Sequence, residues 1–246
     1  MVRAVAFMGC GWRFPFMFGV AKFIEESRVR DDTVIVAGVS GGAGVALSLC
    51  TSTVTEMYER GLAKRARCPV PPFGTCGLMC EVVREMDLPP VCKSGKMQLV
   101  VGRSRYVAPL RLVPDFRSSW TDADDLLDSL RGSCQIPFLD GAVFHSSPGG
   151  LFLDGEFAVP GRTMRAHLVS RLASHLANLV HEGTPGVEGT VIIVDFDEAA
   201  DIRPSVKFPR LWSFVYPDEA SMRAMYADGY RQAERYFSAP CSRPEE

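Results

Sequence analysis

The strongest constraint on the fold is an order that occurs twice between residues 1 and 66. A short apolar run is followed by clustered glycines and then by an apolar segment of helical character. Val2–Met8 reads as a buried strand, Gly9–Gly11 as a break and Phe16–Ser27 as a helix. Thr33–Ala37 then reads as a second strand, Gly38–Gly42 as a second break and Gly42–Ala66 as one long helix. Strands that are apolar on both faces need cover on both faces, and a helix between successive strands brings them parallel. The expected fold class is α/β with a mostly parallel central sheet.

The remainder is less regular. Residues 67–95 are rich in Pro, Cys, Gly and Met and read as an irregular lid-like segment, with one short helix around Leu78–Met86. Met97–Gly102 and Tyr106–Val113 are expected to pair around a basic turn, and Thr121 to cap a helix running to Leu130. A short strand is expected at Leu151–Leu153, a helix at Thr163–His181, a buried strand at Val191–Phe196 and a last helix at Pro217–Phe237. One domain over 1–238 and a frayed tail over 239–246 are expected.

Composition removes several function classes. Hydrophobic residues make up 47% of the chain and the formal net charge is -2, so a sizeable core is available and no nucleic-acid partner is expected. The eight cysteines form no CxxC pair, so neither a metal nor a cofactor is expected, and buried thiols point to a cytoplasmic protein. The apolar N-terminus is broken by Gly9, Gly11, Arg13 and Pro15 and does not read as a signal peptide. No stretch reaches the ~18 uncharged apolar residues of a membrane span, so any membrane contact is expected to be peripheral.

Gly38-Val39-Ser40-Gly41-Gly42 fits G-x-S-x-G between strand and helix. In a nucleophile elbow the chain turns so sharply that side chains at the flanking positions collide, which calls for Gly38 and Gly42. The serine oxygen then lies at the start of a helix, whose positive end favours an oxyanion. Phosphate-binding alternatives fail on residues. No lysine lies between Lys22 and Lys64 for a Walker loop, and Phe14 occupies the third glycine position after Gly9-Cys10-Gly11. For a base, Asp154 combined with His167, His175 or His181 makes a triad, whereas a direct Ser–Asp pair would use Asp140 or Asp154.

Three motifs in order (Gly9-Cys10-Gly11, Gly38–Gly42 and Asp154-Gly155) resemble the patatin-like phospholipase family, which works with a Ser–Asp dyad. "FMGCGW", "GVAKFI", "GSCQIPF" and "DGYRQAERYF" are most similar to the eukaryotic subgroup containing adipose triglyceride lipase and adiponutrin. The resemblance implies a three-layer α/β/α fold with Ser40 as nucleophile and Asp154 as general base. It also implies an oxyanion hole from the amides of Gly9, Cys10, Gly11 and Gly41, and an acyl-serine intermediate. The implied substrate is a glycerolipid (phospholipid, galactolipid or triacylglycerol) at a membrane or lipid-droplet surface, with a regulatory protein as a further partner. Glu156 departs from the family pattern and would tend to raise the pKa of Asp154 if it lay beside it. Ala158 replaces an asparagine, and Trp12 and Phe14 replace smaller residues near the acyl pocket. These departures keep a catalytically silent lipid- or protein-binding homologue as the rival reading.

Overall fold

The computed structural model describes residues 2–65, 75–86, 97–109, 111–139, 141–157, 170, 172–175, 177–178 and 189–239. Its centre is a mostly parallel sheet. Strands β1 (Val2–Phe7), β2 (Thr33–Val39), β3 (Gln98–Val107) and β7 (Gly189–Val194) run parallel in the order β3-β2-β1-β7. Ala4, Val5, Ala6 and Phe7 are each 0% exposed, so successive residues of β1 are buried whichever way they point. Burial on both faces is the state in which strands lose the polar alternation of half-exposed sheets. Antiparallel strands β4 (Arg111–Arg117), β5 (His145–Ser147) and β6 (Gly150–Leu153) extend the sheet on the β3 side.

The connections are helical. Helices α1 (Phe14–Glu26) and α2 (Val29–Asp32) join β1 to β2. Helices α3 (Gly41–Thr51), α4 (Val54–Arg65) and α5 (Thr75–Glu85) follow β2. Helix α6 (Ala123–Cys134) follows β4, and α7 (Glu219–Ser238) closes the chain against α1. That contact depends on two glycines: a Cβ on Gly19 would collide with the Tyr226 backbone, and one on Gly229 with the Phe16 backbone.

Three sequence expectations are corrected. The long helix after Ser40 is two helices, because Ser52 takes a left-handed φ of 58° and its N–H turns back to the carbonyls of Leu49 and Ser48. The β3–β4 turn does not fall at residues 103–105. Arg103 continues the strand, its side chain buried and ion-paired with Asp115, and the turn comes at Ala108-Pro109. Asp122, not Thr121, caps α6, accepting the N–H of Asp125 at 2.8 Å. Most of the helix expected at Thr163–His181 lies outside the described residues, although Leu172 from that stretch is fully buried in the core. The tail expected over 239–246 also lies outside them, except for Ala239.

The register on β3 decides where the site forms. Val101 and Gly102 pair with Gly38 and Val39 of β2 on one edge and with Arg117 and Phe116 of β4 on the other. Ser104 and Arg105 pair with Pro114 and Val113 of β4, and also with Leu153 and Phe152 of β6. A strand has two edges, and β4 fills one of them throughout. Strand β6 therefore continues the lane of β2 from the opposite direction, and the ends of the two strands meet beside Arg103.

Candidate active site

At that meeting point β2 stops and the chain reverses into α3. Ser40 has φ 54° and ψ -131°, a conformation that non-glycine residues adopt at a cost of about 1–3 kcal/mol and keep only when their surroundings dictate it. Here they do. A Cβ on Gly38 would run into the backbone of Gly42 and Ala43, and one on Gly42 into the carbonyls of Phe7 and Met8. The Ser40 N–H donates to Ser133 Oγ at 2.9 Å, and the Ser133 hydroxyl donates to the Gly102 carbonyl at 2.6 Å. One hydroxyl on α6 thus ties the elbow to β3.

Asp154 arrives from β6. Its N–H donates to the Gln135 carbonyl at 2.8 Å, and its own carbonyl accepts the Ser104 hydroxyl at 2.7 Å. The Ser40 hydroxyl donates to Asp154 Oδ2 at 2.5 Å, and the Glu156 N–H donates to Oδ1 at 3.0 Å. The pair is nearly sealed from solvent, with Ser40 7% and Asp154 2% exposed. A short O–H···O⁻ contact in such surroundings belongs to the stronger charge-assisted class. Gly155 then presses on Val39 and the Gly102 carbonyl so closely that a side chain there would collide.

The turn after β1 faces this pair. A Cβ on Gly41 would lie 2.8 Å from Cys10 Sγ and 3.6 Å from the Gly11 nitrogen, so the two glycine turns are in contact. Gly11, Ser40 and Gly41 line one pocket. The Gly9 N–H is already engaged: it donates to Glu156 Oε1 at 2.8 Å. Glu156 therefore reaches over Gly9, in space that a Gly9 side chain would fill.

The histidines divide. His175 stacks on Phe116 at 5.1 Å, and His145 pairs with Asp128 at 2.7 Å; neither hydrogen-bonds Ser40. His167, His181, Asp140, Ala158 and Pro160 lie outside the described residues. Ser133, Ser104 and Gln135 are contacts that sequence reasoning did not single out. The segment Gly132–Phe138 drew notice only as a whole, and a strand serine such as Ser104 gives no local signal. Among the described residues no group of three or more His, Cys, Asp or Glu is placed to hold a metal ion.

A cleft leads away from Ser40. Phe14, Phe18, Met57, Leu78, Met79 and Val82 form much of its wall, and among the described residues no charged side chain lines it. Two helical glycines, Gly44 of α3 and Gly61 of α4, also face it. Among the described residues, a Cβ on Gly61 would approach nothing closer than the Phe14 ring at 3.9 Å. Trp12 and Phe14, the bulky residues after the first turn, line the cleft without closing it.

Neither a protein-family model nor a curated protein sequence matches the chain. Solved structures do match. A chain of the heterodimeric ExoU–SpcU complex of the Pseudomonas aeruginosa type III secretion system aligns with 96% of this chain and 51% of its own length, at 11% identity and a TM-score of 0.50. VipD from Legionella pneumophila aligns with 96% of this chain and 66% of its own, at 11% identity and a TM-score of 0.45. The similarity to the ExoU–SpcU chain is one of fold, and the present chain spans about half of that chain's length.

Proposed function

We propose that the chain is a patatin-like lipid acyl hydrolase with Ser40 as nucleophile and Asp154 as general base. The observation that carries this reading is the 2.5 Å Ser40–Asp154 hydrogen bond, with Ser40 lining a largely apolar cleft. Ser40 Oγ attacks the ester carbonyl as its proton passes to Asp154 Oδ2. The amides of Cys10, Gly11 and Gly41 hold the oxyanion, assisted by the N-terminus of α3. Asp154 returns the proton to the departing alcohol and leaves an acyl-serine. Water then gives its proton to Asp154, attacks the acyl carbon and releases the fatty acid and Ser40. The scheme uses no metal or cofactor.

The apolar cleft supports a fatty-acyl ester rather than a polar acyl group. Within the glycerolipids, the short segments shared with the triacylglycerol-lipase subgroup support the narrower reading. Fluorophosphonate labelling and hydrolysis of p-nitrophenyl esters test the proposal. Wild type is expected to label at Ser40, and Ser40→Ala and Asp154→Asn to lose about 10³-fold or more in kcat. Gly61→Leu is expected to spare short-chain esters while reducing hydrolysis of long-chain ones. Equal hydrolysis by wild type and Ser40→Ala sinks the proposal.

The engaged Gly9 amide favours one other reading, a lipid-binding homologue without turnover. That reading predicts folded protein that binds fatty acid but neither labels nor hydrolyses any ester in the panel.

A further inference from the structure

Next to the cleft mouth lies a surface that the hydrolysis scheme does not use. Residues 210–213 form a short 3-10 turn, and the N–H groups of Phe214 and Val215 both return to the Leu211 carbonyl at 2.9 Å. With three residues per turn, Leu211 and Phe214 fall on one side. Leu211 is 65%, Phe214 49% and Val215 37% exposed. Aromatic neighbours in the same segment turn inward instead. Trp212 stacks on Phe208, and Tyr216 meets Trp12 edge-on. The outward apolar residues thus sit on an anchored base.

This patch is continuous with the cleft. Ser213 and Phe214 line the cleft, and the Ser213 carbonyl lies so close to Gly11 that any side chain there would collide with it. Ile136 lines the same cleft. Two residues beyond it, Phe138 is 73% exposed with a left-handed φ of 67°, a costly conformation for a bulky residue. The charge pattern supplies the second observation. Residues 202–217 contain Arg203, Lys207 and Arg210 and no acidic residue. Lys207 makes an exposed pair with Glu198, while Arg210 is exposed beside Leu211.

We infer that Leu211, Phe214, Val215 and Arg210 form a docking surface for an anionic lipid bilayer. The apolar side chains enter the headgroup–acyl boundary, and Arg210 and Lys207 meet lipid phosphates. An acyl chain leaving the bilayer at Phe214 then enters the cleft without crossing water. Isolated exposed apolar residues need no explanation, but an apolar patch that follows exposed Lys207 and Arg210 and leads into an apolar cleft fits this occupant. The inference rests on reading the cleft as an acyl site, not on turnover.

The test uses Ser40→Ala protein, so that vesicles stay intact, in sedimentation with phosphatidylcholine vesicles with or without phosphatidylglycerol. Binding is expected to be about tenfold or more tighter to the anionic vesicles. Leu211→Glu is expected to weaken it about tenfold and Arg210→Glu about fivefold, both with unchanged thermal melts. The same two substitutions in an otherwise wild-type chain leave hydrolysis of a monomeric short-chain ester unchanged. Equal vesicle binding by all three proteins overturns the inference. So does a wild-type dimer in solution that Leu211→Glu dissociates, because the patch is then a self-interface. If vesicle binding follows the substitutions but no ester is cleaved, the docking surface stands and the hydrolase reading fails.

Discussion

The two glycine turns, after β1 and after β2, look alike in sequence and are built in opposite ways. In the elbow, the space denied to a Gly38 side chain is taken by Gly42 and Ala43, a few residues along. In the turn after β1, the space beside Gly9 is taken by Glu156, 147 residues away, and that beside Gly11 by Ser213, near the far end of the chain. The elbow is shaped mainly by its own motif and by the strand beside it. The first turn is shaped by what the rest of the chain brings to it, so distant changes reach the proposed oxyanion donors before they reach the proposed nucleophile.

Substitutions can break this contrast, and the largest effect is expected at the elbow. Gly42→Val forces a side chain into the Phe7 and Met8 carbonyls and should cost about 3 kcal/mol or more, read from the urea unfolding midpoint. Gly11→Ala should cost about 1–2 kcal/mol from its left-handed φ alone. It should also lift residues 210–215, so trypsin should cut after Arg210 sooner than in wild type.

Glu156 sharpens the comparison more gently. Glu156→Ala removes the carboxylate that accepts the Gly9 N–H and should cost about 1–3 kcal/mol. Glu156→Gln keeps an acceptor oxygen, so its stability should fall within about 1 kcal/mol of wild type. Removing a negative charge near the developing oxyanion should also raise kcat by about three- to tenfold. A Glu156→Gln enzyme slower than wild type would show that the carboxylate braces the site rather than opposing it.

The smallest effect is expected away from both turns. Tyr58 and Tyr226 stack at 4.5 Å, and burial pushes each hydroxyl up to about 12. Their folded-state pKa exceeds the unfolded value of about 10, so this stabilisation is complete below pH 10 and lost as the pH rises towards 12. Among the described residues the Tyr58 hydroxyl has no hydrogen-bond partner, so Tyr58→Phe should change stability at pH 7 by less than about 1 kcal/mol. The substitution should also flatten part of the alkaline decline, measured by unfolding at pH 10 and pH 12.

The sequence was informative where structure is local. The elbow, the parallel strand–helix units and the final helix follow from short-range pattern, and Gly38 and Gly42 announce their own crowding. The break at Ser52 left no signal because a serine in a left-handed turn looks like any helical serine. The Arg103 strand was masked by its charge, which reads as a turn until Asp115 is known to lie opposite. Ser133 and Ser104 were illegible for a related reason: each becomes important only through a partner supplied by another strand or helix. The direction of the Glu156 side chain depends on the turn after β1 lying near the residues that follow β6, which no local pattern encodes.

The shared lane of β2 and β6 has a mechanical consequence. Ser40 and Asp154 are carried like the jaws of a caliper whose scale is engraved on β3. Their separation is set by counting residues along one strand, from the partner of Val39 at Gly102 to the partner of Leu153 at Ser104. Helices and loops around them can shift without changing that reading. A slip of one residue in either strand opens the jaws by about 3.3 Å and turns one side chain to the opposite face, so alignment is either kept or lost outright.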